Sequence, residues 1–453
     1  MEGWMTIARV KRTLPLVGAV LFAAGIILVI WVLGGSVSGD LRVITPHWEG
    51  VRIEFGREFN EWRARRGEPP VTIEWIDVGG TSDILRYLRS LFKERTNNCQ
   101  IDIVFGGGLD PYLVLAQEGL FAPCALPEDI MQNIPPALFG VPLYETNGLW
   151  YGAALSGFGV LYNNVINRKF SLPTPTSWDD LTRPELRGWV GSADPRKSGS
   201  VHMMYEIILQ AYGWEKGMEI ISAMSGNIRT FSQSAGSVPK DIAMGDIAAG
   251  LCIDMYAWNT VARVGGGRLG FSMPQGQTVV NPDAIALLRG APHGELAREF
   301  IMFVMSEDGQ KLWMLDKDTI PGSPHEFSLT KMPVWPRLFE TYRSNTVFTS
   351  SPFAWTNAVM YNSVKGSTRW NILNDYIGCL FIDAHTECKK AWNRVSCLPA
   401  GDERRQAFFR HPLTEEKLMD LATNAYLNPA LRAQLTADWA KEARKRYAKA
   451  SIL

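Results

Sequence analysis

The sequence predicts an α/β fold in two units, set behind an N-terminal apolar segment and ahead of a mostly helical C-terminal stretch. Two observations predict the α/β units. Strand and helix patterns alternate from residue 41 to 105, and a second alternating stretch follows over residues 151–270. Such alternation implies parallel strands joined by crossover helices. A third observation is size: 453 residues exceed one ordinary core, so more than one domain is expected.

The elements follow from periodicity. Residues 41–45 read as a short buried strand. Val51, Phe55, Phe59 and Trp62 recur at helical spacing, which predicts an amphipathic helix over 51–65. A strand at 71–78 leads through Gly79, Gly80, Thr81 and Ser82 into a second helix, with Ile84, Leu85, Leu88, Leu91 and Phe92 on one face. A strand at 102–105 ends at Gly106, Gly107 and Gly108. Beyond it, 150–163 reads as one or two strands, Ser177 as the cap of a short helix from Trp178, 189–193 as a strand, 201–212 as a helix, and 247–253 as a buried strand. A strand at 279–288 and a helix within 292–312 follow. Past Pro333 and Pro336 the character is helical, with helices expected at 415–427 and 429–450.

Arg9, Lys11 and Arg12 precede an uncharged run at 14–33, followed by small residues up to Asp40. Basic, apolar, then small-polar is the layout of a secretory signal. The run is long enough for a membrane-spanning helix, so residues 1–40 are expected as a signal peptide or, by preference, an uncleaved anchor. The basic flank places the rest outside the cytoplasmic membrane, periplasmic or extracellular. Lys plus Arg equals Asp plus Glu, and no basic stripe is visible, so a nucleic-acid partner is not expected. Sixteen Trp should fill cores or line a cleft. Of the six Cys, Cys379, Cys388 and Cys397 cluster, which leaves both a disulfide among them and free thiols open. No GxSxG, HExxH or Walker A motif occurs. Residues 265–270 fit GxGxxG by letter, but no helix pattern opens after them, so they read as a loop.

Four segments, in order and spacing, resemble the bacterial periplasmic solute-binding proteins of the type II class, nearest the branch that includes ferric-iron binders. They are 41–62; 175–181 with 186–188 and 194–200; 247–258; and 281–288 with 291–292 and 306–311. The resemblance covers about 41–320. It implies the type II periplasmic-binding-protein fold, two α/β lobes around a cleft: lobe 1 from 41–150, lobe 2 from 151–270, a return to lobe 1 at 271–325, and a helical C-terminal extension at 326–453. It also implies a non-catalytic role in an ABC importer, with permease and ATPase subunits as partners. In that class, ligand binds between the lobes, and closure around it presents a surface to the permease.

Candidate ligand-binding residues come from loops that would face such a cleft. Thr81 and Ser82, and Ser198, Gly199 and Ser200, each open a helix, where unpaired N–H groups and partial positive charge receive an oxyanion. Gly107 and Gly108 follow a strand, where ligands of open α/β sheets sit. Trp48 and Tyr256 offer aromatic faces, with Glu49 or Asp254 as counter-charge; Trp258 reads as core packing. The resemblance further places His47 and Tyr256 near positions that bind iron in relatives, so ferric iron is one transported ligand to consider; no resident cofactor is expected. Relatives carry paired tyrosines, whereas here the pair reads Tyr256-Ala257. Gly107 stands where a carboxylate is often found, and Asp254 where an Asn assists the anion. An enzyme on the same fold and a membrane-anchored sensor ectodomain are the competing classes.

Overall fold

In the computed structural model the described residues are 40–452, except 96 and 349–350. The expected anchor at 14–33 lies outside them. Among the described residues no helix is long and apolar enough to cross a membrane.

The strands in chain order are β1 (Leu41–Ile44), β2 (Ile73–Ile76), β3 (Ile103–Phe105), β4 (Phe121–Ala122), β5 (Ala137–Leu138), β6 (Val141–Pro142), β7 (Tyr151–Asn163), β8 (Val190–Ala193), β9 (Ile228–Ser232), β10 (Ala249–Ile253), β11 (Leu269–Ser272) and β12 (Val280–Leu288). The main sheet runs β2-β1-β3-β12-β7-β10-β8-β9, with β4 on β12 and β11 on β7. β1 is parallel to both neighbours: Val43 faces Trp75 of β2 and Ile103 of β3. β12 returns antiparallel against β3.

Two lobes arise because β7 changes partners along its length. Its first half, from Tyr151 to Gly157, pairs with β12. Its second half, from Phe158, pairs with β10 and β11. The strand is buried on both faces, which explains why its sequence, YGAALSGFGVLYN, lacks polar alternation. Gly159 is required here, because a Cβ would collide with the Ser272 carbonyl of the adjoining strand. One lobe is β1, β2, β3, β12 and the start of β7, with helices Glu49–Arg65, Thr81–Glu94, Leu109–Gln117, Gly294–Met305 and Glu307–Met314. The other is the end of β7 with β8 to β11 and helices Gly199–Tyr212, Trp214–Asn227, Ser237–Met244 and Asp254–Val264.

The structure corrects some expectations and decides between others. The helix expected within 292–312 is two helices, broken at Ser306, which is extended and accepts from the Gly309 N–H. Ser177 does not cap: its N–H and hydroxyl both donate to the Asp180 carboxylate, which organises a 3-10 turn, Asp179–Thr182. Residues 265–270 make a turn into β11 with no helix after it, so the glycine pattern is indeed no dinucleotide loop. All six cysteines are free thiols; only Cys397 is exposed, so no disulfide joins the C-terminal cluster. The stretch after 326 is not yet extension. Leu329, Met332, Val334, Trp335 and Leu338 join the core around Phe55, Phe300 and Trp313 of lobe 1, and Leu155 of β7 donates to the Met332 carbonyl.

Beyond that strap, the extension is helical: Ser363–Ile377, His385–Val395, Glu403–Phe409, Glu415–Asn424 and Pro429–Ser451. It is bonded to lobe 2 through buried polar groups. The Arg369 guanidinium meets the Glu206 carboxylate, both side chains fully buried. His202, on the same helix as Glu206, shares a 2.7 Å hydrogen bond with the Asn374 side chain and lies against Trp370 with the rings tilted by 39° and centroids 3.8 Å apart. Burial lowers the His202 pKa to about 4, although the nearby Glu206 charge opposes the shift. Because this folded value lies below the unfolded one, its contribution is fully present above pH 6.5 and is lost as pH falls toward 4. We expect His202→Gln to lose less stability than wild type over that window, by roughly 3 kcal/mol, in urea titrations at pH 7 and pH 4.

Candidate functional site: a cleft at converging helix starts

Between the lobes lies a cavity of about 360 Å³. Its most distinctive feature is helical. Trp48, Gly80, Gly108, Ser198 and Ile253 all line it, and each is the residue immediately before a helix. Five helices, three from lobe 1 and two from lobe 2, therefore aim their N-termini at one space. This follows from the topology: helices that succeed parallel strands start at the strands' carboxyl edge, where both lobes meet. A helix start offers N–H groups and partial positive charge; here some of these are used internally, the Leu109 N–H by Asn281, the Val201 N–H by Ser198 and the Met255 N–H by Asp254, and the first turns that follow Trp48, Gly80, Gly108 and Ile253 each hold an acidic residue. Of the five preceding residues, only Ser198 caps with its side chain, onto the Val201 N–H at 3.4 Å.

The lobes touch at the rim. Gly80 lies so close to the Lys197 carbonyl that a Cβ could not fit, and a Cβ on Gly199 would come within 3.0 Å of Thr81. Arg86 also reaches the Arg196 carbonyl at 3.3 Å.

Of the residues singled out in the sequence, the structure brings His47, Trp48, Thr81, Gly107, Gly108, Ser198, Gly199, Ser200 and Tyr256 to the cavity wall. Glu49, Ser82 and Asp254 are not on it. Glu49 is exposed in the first turn of its helix. Ser82 is buried behind Thr81 with its hydroxyl unpartnered. Asp254 is fully buried, and its carboxylate accepts from Gly157 (2.8 Å) and Met255 (2.7 Å), so it secures the crossing point of β7. Gly107 follows β3, at the edge where ligands of open α/β sheets sit. Its left-handed conformation (φ +92°) does require glycine, but the space beside it is filled by the Thr81 side chain. Trp258 lies off the wall and packs edge-on against Phe271.

At the floor, His47 is buried with its ring on Phe105 and Trp313. Neither ring nitrogen has a hydrogen-bond partner, and Nε2 is 3.7 Å from Asp283. Burial, then the charges of Lys331 and Arg52, hold its pKa well below 6.5, so the imidazole is neutral.

Lys331 went unnoticed in the sequence. Its side chain is fully buried, its ammonium contacts the Asp283 carboxylate and it donates to Ser156 Oγ at 2.7 Å. Burial lowers its pKa to about 8, with the Asp254 charge acting the other way. Asp254, pushed up by burial and restrained by Lys331, sits at about 6. No motif announces Lys331: it is one lysine between Thr330 and Met332, in a stretch assigned to the extension. Arg52, Lys197 and Asp283 were missed likewise.

The charges on the wall are mostly spent internally. Arg52 pairs with Asp77 at 2.9 Å, Lys331 with Asp283, and Asp83 with Arg86. Among the described lining residues, Lys197 is the cation whose hydrogen-bond partner, Gln233, is neutral. An anion entering here would meet helix-start amides, the hydroxyls of Thr81, Ser198 and Ser200, and one available ammonium. A hard cation would seek carboxylate and phenolate oxygens, yet Lys331 already occupies the cationic place beside Asp283. Among the described residues, no group of three or more His, Cys, Asp or Glu is arranged to hold a metal.

Fold and cleft together define a two-lobed ligand-binding protein. Residues 112–338, half of the chain, match the family model described as bacterial extracellular solute-binding protein, and the chain belongs to that family. It is 34% identical over 160 residues to the phosphoglycerate transport regulatory protein PgtC of Salmonella typhimurium; the match spans 35% of this chain and 39% of that relative's length. An uncharacterized protein of Haemophilus influenzae is 26% identical over 262 residues, 54% of this chain and 72% of the relative. Among solved structures, the periplasmic binding protein AfuA of Actinobacillus pleuropneumoniae with fructose-6-phosphate bound aligns over 68% of this chain and 98% of its own, at TM-score 0.53 and 18% identity. Iron-bound HitA of Pseudomonas aeruginosa aligns over 75% of this chain and 99% of its own, at TM-score 0.56 and 17% identity. At these identities the structural likenesses show the shared fold. The mixed α/β fold matches the type II class, and the family role is ligand binding outside the cell.

Proposed function

We propose that the protein is a periplasmic receptor that captures a small organic anion, foremost an organic phosphate such as phosphoglycerate, and presents it to an ABC permease. Residues 14–33 would tether it to the cytoplasmic membrane. The observation that carries this reading is the meeting of five helix N-termini on one cavity, with Lys197 beside them. Backbone N–H groups at helix starts are suited to phosphate oxygens, and a charge-assisted bond from Lys197 adds to them. The name of the Salmonella relative and the sugar phosphate in AfuA point to the same chemistry.

Ferric iron is the weaker reading, because the lysine at the floor opposes a trivalent cation. A sensor ectodomain would use the same ligand site and differ only in its partner.

The reading is tested by a thermal-shift panel on the full-length protein with 3-phosphoglycerate, fructose-6-phosphate, simple carboxylates and ferric citrate. A ligand that binds only the native state raises the midpoint as its concentration exceeds Kd. Organic phosphates should give the largest shift; a response to ferric citrate alone would discard the anion reading.

A further inference from the structure

The extension does more than cover lobe 2: its first long helix grips both lobes. Ser363–Ile377 packs along Leu109–Gln117 of lobe 1 and against Gly199–Tyr212 of lobe 2. On the lobe 1 side, the buried Tyr361 hydroxyl donates to the Asp110 carboxylate in the first turn of Leu109–Gln117. Gly366 fits tightly over that pair, where any Cβ would collide with both groups. On the lobe 2 side, Arg369 holds Glu206, and Trp370 lies against His202 and within 3.4 Å of a Cβ position on Gly199. The same segment donates from Tyr361 N–H to the Phe139 carbonyl and exchanges bonds between Asn362 and Gln210. One continuous apolar core runs from Leu88 and Tyr112 through Met204 and Ile208 to Ile372 and Leu373.

In a pair of hinged lobes each lobe has its own core, and opening exposes only the cleft. Here, opening would tear a shared core and strand buried polar groups, which costs far more than wetting a cleft. We infer that the helix Ser363–Ile377 is a brace that fixes the spacing between the helix starts at Gly108 and Ser198, so that solute enters a cleft of preset width without large lobe closure. The two helices it grips open directly on the cavity from opposite lobes. The family match ends at residue 338, so the brace is an addition to the matched region. The proposal holds whichever solute occupies the cavity.

Pulsed electron spin resonance tests it on the full-length protein carrying Lys93→Cys on lobe 1, Lys240→Cys on lobe 2 and Cys397→Ser. The unliganded protein should give one narrow distance distribution, unmoved by saturating 3-phosphoglycerate or inorganic phosphate. Gly366→Val, or the milder Asp110→Asn, should broaden that distribution while circular dichroism shows the fold retained. A broad or two-peaked distribution in the unliganded parent, a shift beyond about 5 Å on adding either probe, or folded brace variants with an unchanged distribution would each overturn the proposal. Should neither probe bind by calorimetry, the anion reading fails, while the unliganded distribution still decides the brace.

Discussion

Arg369→Met is expected to cost about 3–5 kcal/mol of folding stability, the usual penalty for removing one partner of a fully buried ion pair. Burial alone would raise the Glu206 pKa, but the Arg369 charge and hydrogen bonds hold it below the usual carboxylate value, so Glu206 is ionised in the folded protein. Without Arg369, that charge keeps the Gln210 amide as a hydrogen-bond partner but loses its bidentate cation in the interior. Arg369 also reaches Glu415 at 2.6 Å and lies 5.6 Å from the Trp214 ring, so the substitution loosens three elements at once. Chemical unfolding should show a lowered midpoint in Arg369→Met and partial recovery in Arg369→Met with Glu206→Gln. Recovery is expected because replacing both ends of a buried pair removes the stranded charge. Equal stability of Arg369→Met and wild type would mean that the extension is not anchored through this pair.

Lys331→Met should be comparably damaging, about 3–5 kcal/mol at pH 7, because it removes the cation beside Asp283 and near Asp254 in the fully buried floor. The loss should depend on pH. The folded Asp254 pKa of about 6 lies above its unfolded value, so its contribution to stability is present at low pH and is lost as pH rises through 6. Removing Lys331 takes away the charge that restrains this shift, so the variant should regain part of its stability between pH 7 and pH 5, when the carboxyl takes up a proton. Unfolding at both pH values checks this, and Lys331→Met with Asp283→Asn should be milder at pH 7 than the single change.

Much of lobe 1 could be read from the sequence because its elements are strongly periodic and separated by glycine turns. Helix Thr81–Glu94, with Ile84, Leu85, Leu88 and Phe92 buried on one face, is the clearest case. Lobe 2 was harder. Trp214–Asn227 buries nearly all of its circumference, so it shows no amphipathic period, and Ser237–Met244 begins among serines and contains a proline. At the cleft, loop residues at helix starts were recognisable because Gly, Ser and Thr there have a physical meaning. Charged residues contributed from mid-element or from distant chain were not. Arg52 lies within the first turns of a helix that looked merely amphipathic, Asp283 sits inside an apolar strand, and Lys331 arrives on a proline-flanked strap. Asp254 shows the converse. Its position invited a ligand role, whereas its carboxylate is turned to the β7 backbone.

The most direct measurement is calorimetric titration of 3-phosphoglycerate into the full-length wild-type protein and into Lys197→Met. Wild type should bind saturably and one-to-one, and Lys197→Met at least about tenfold more weakly, the loss of one charge-assisted hydrogen bond of roughly 1.5–3 kcal/mol. Absence of binding by this and other organic phosphates, with tight uptake of ferric iron at the same site, would contradict the anion reading.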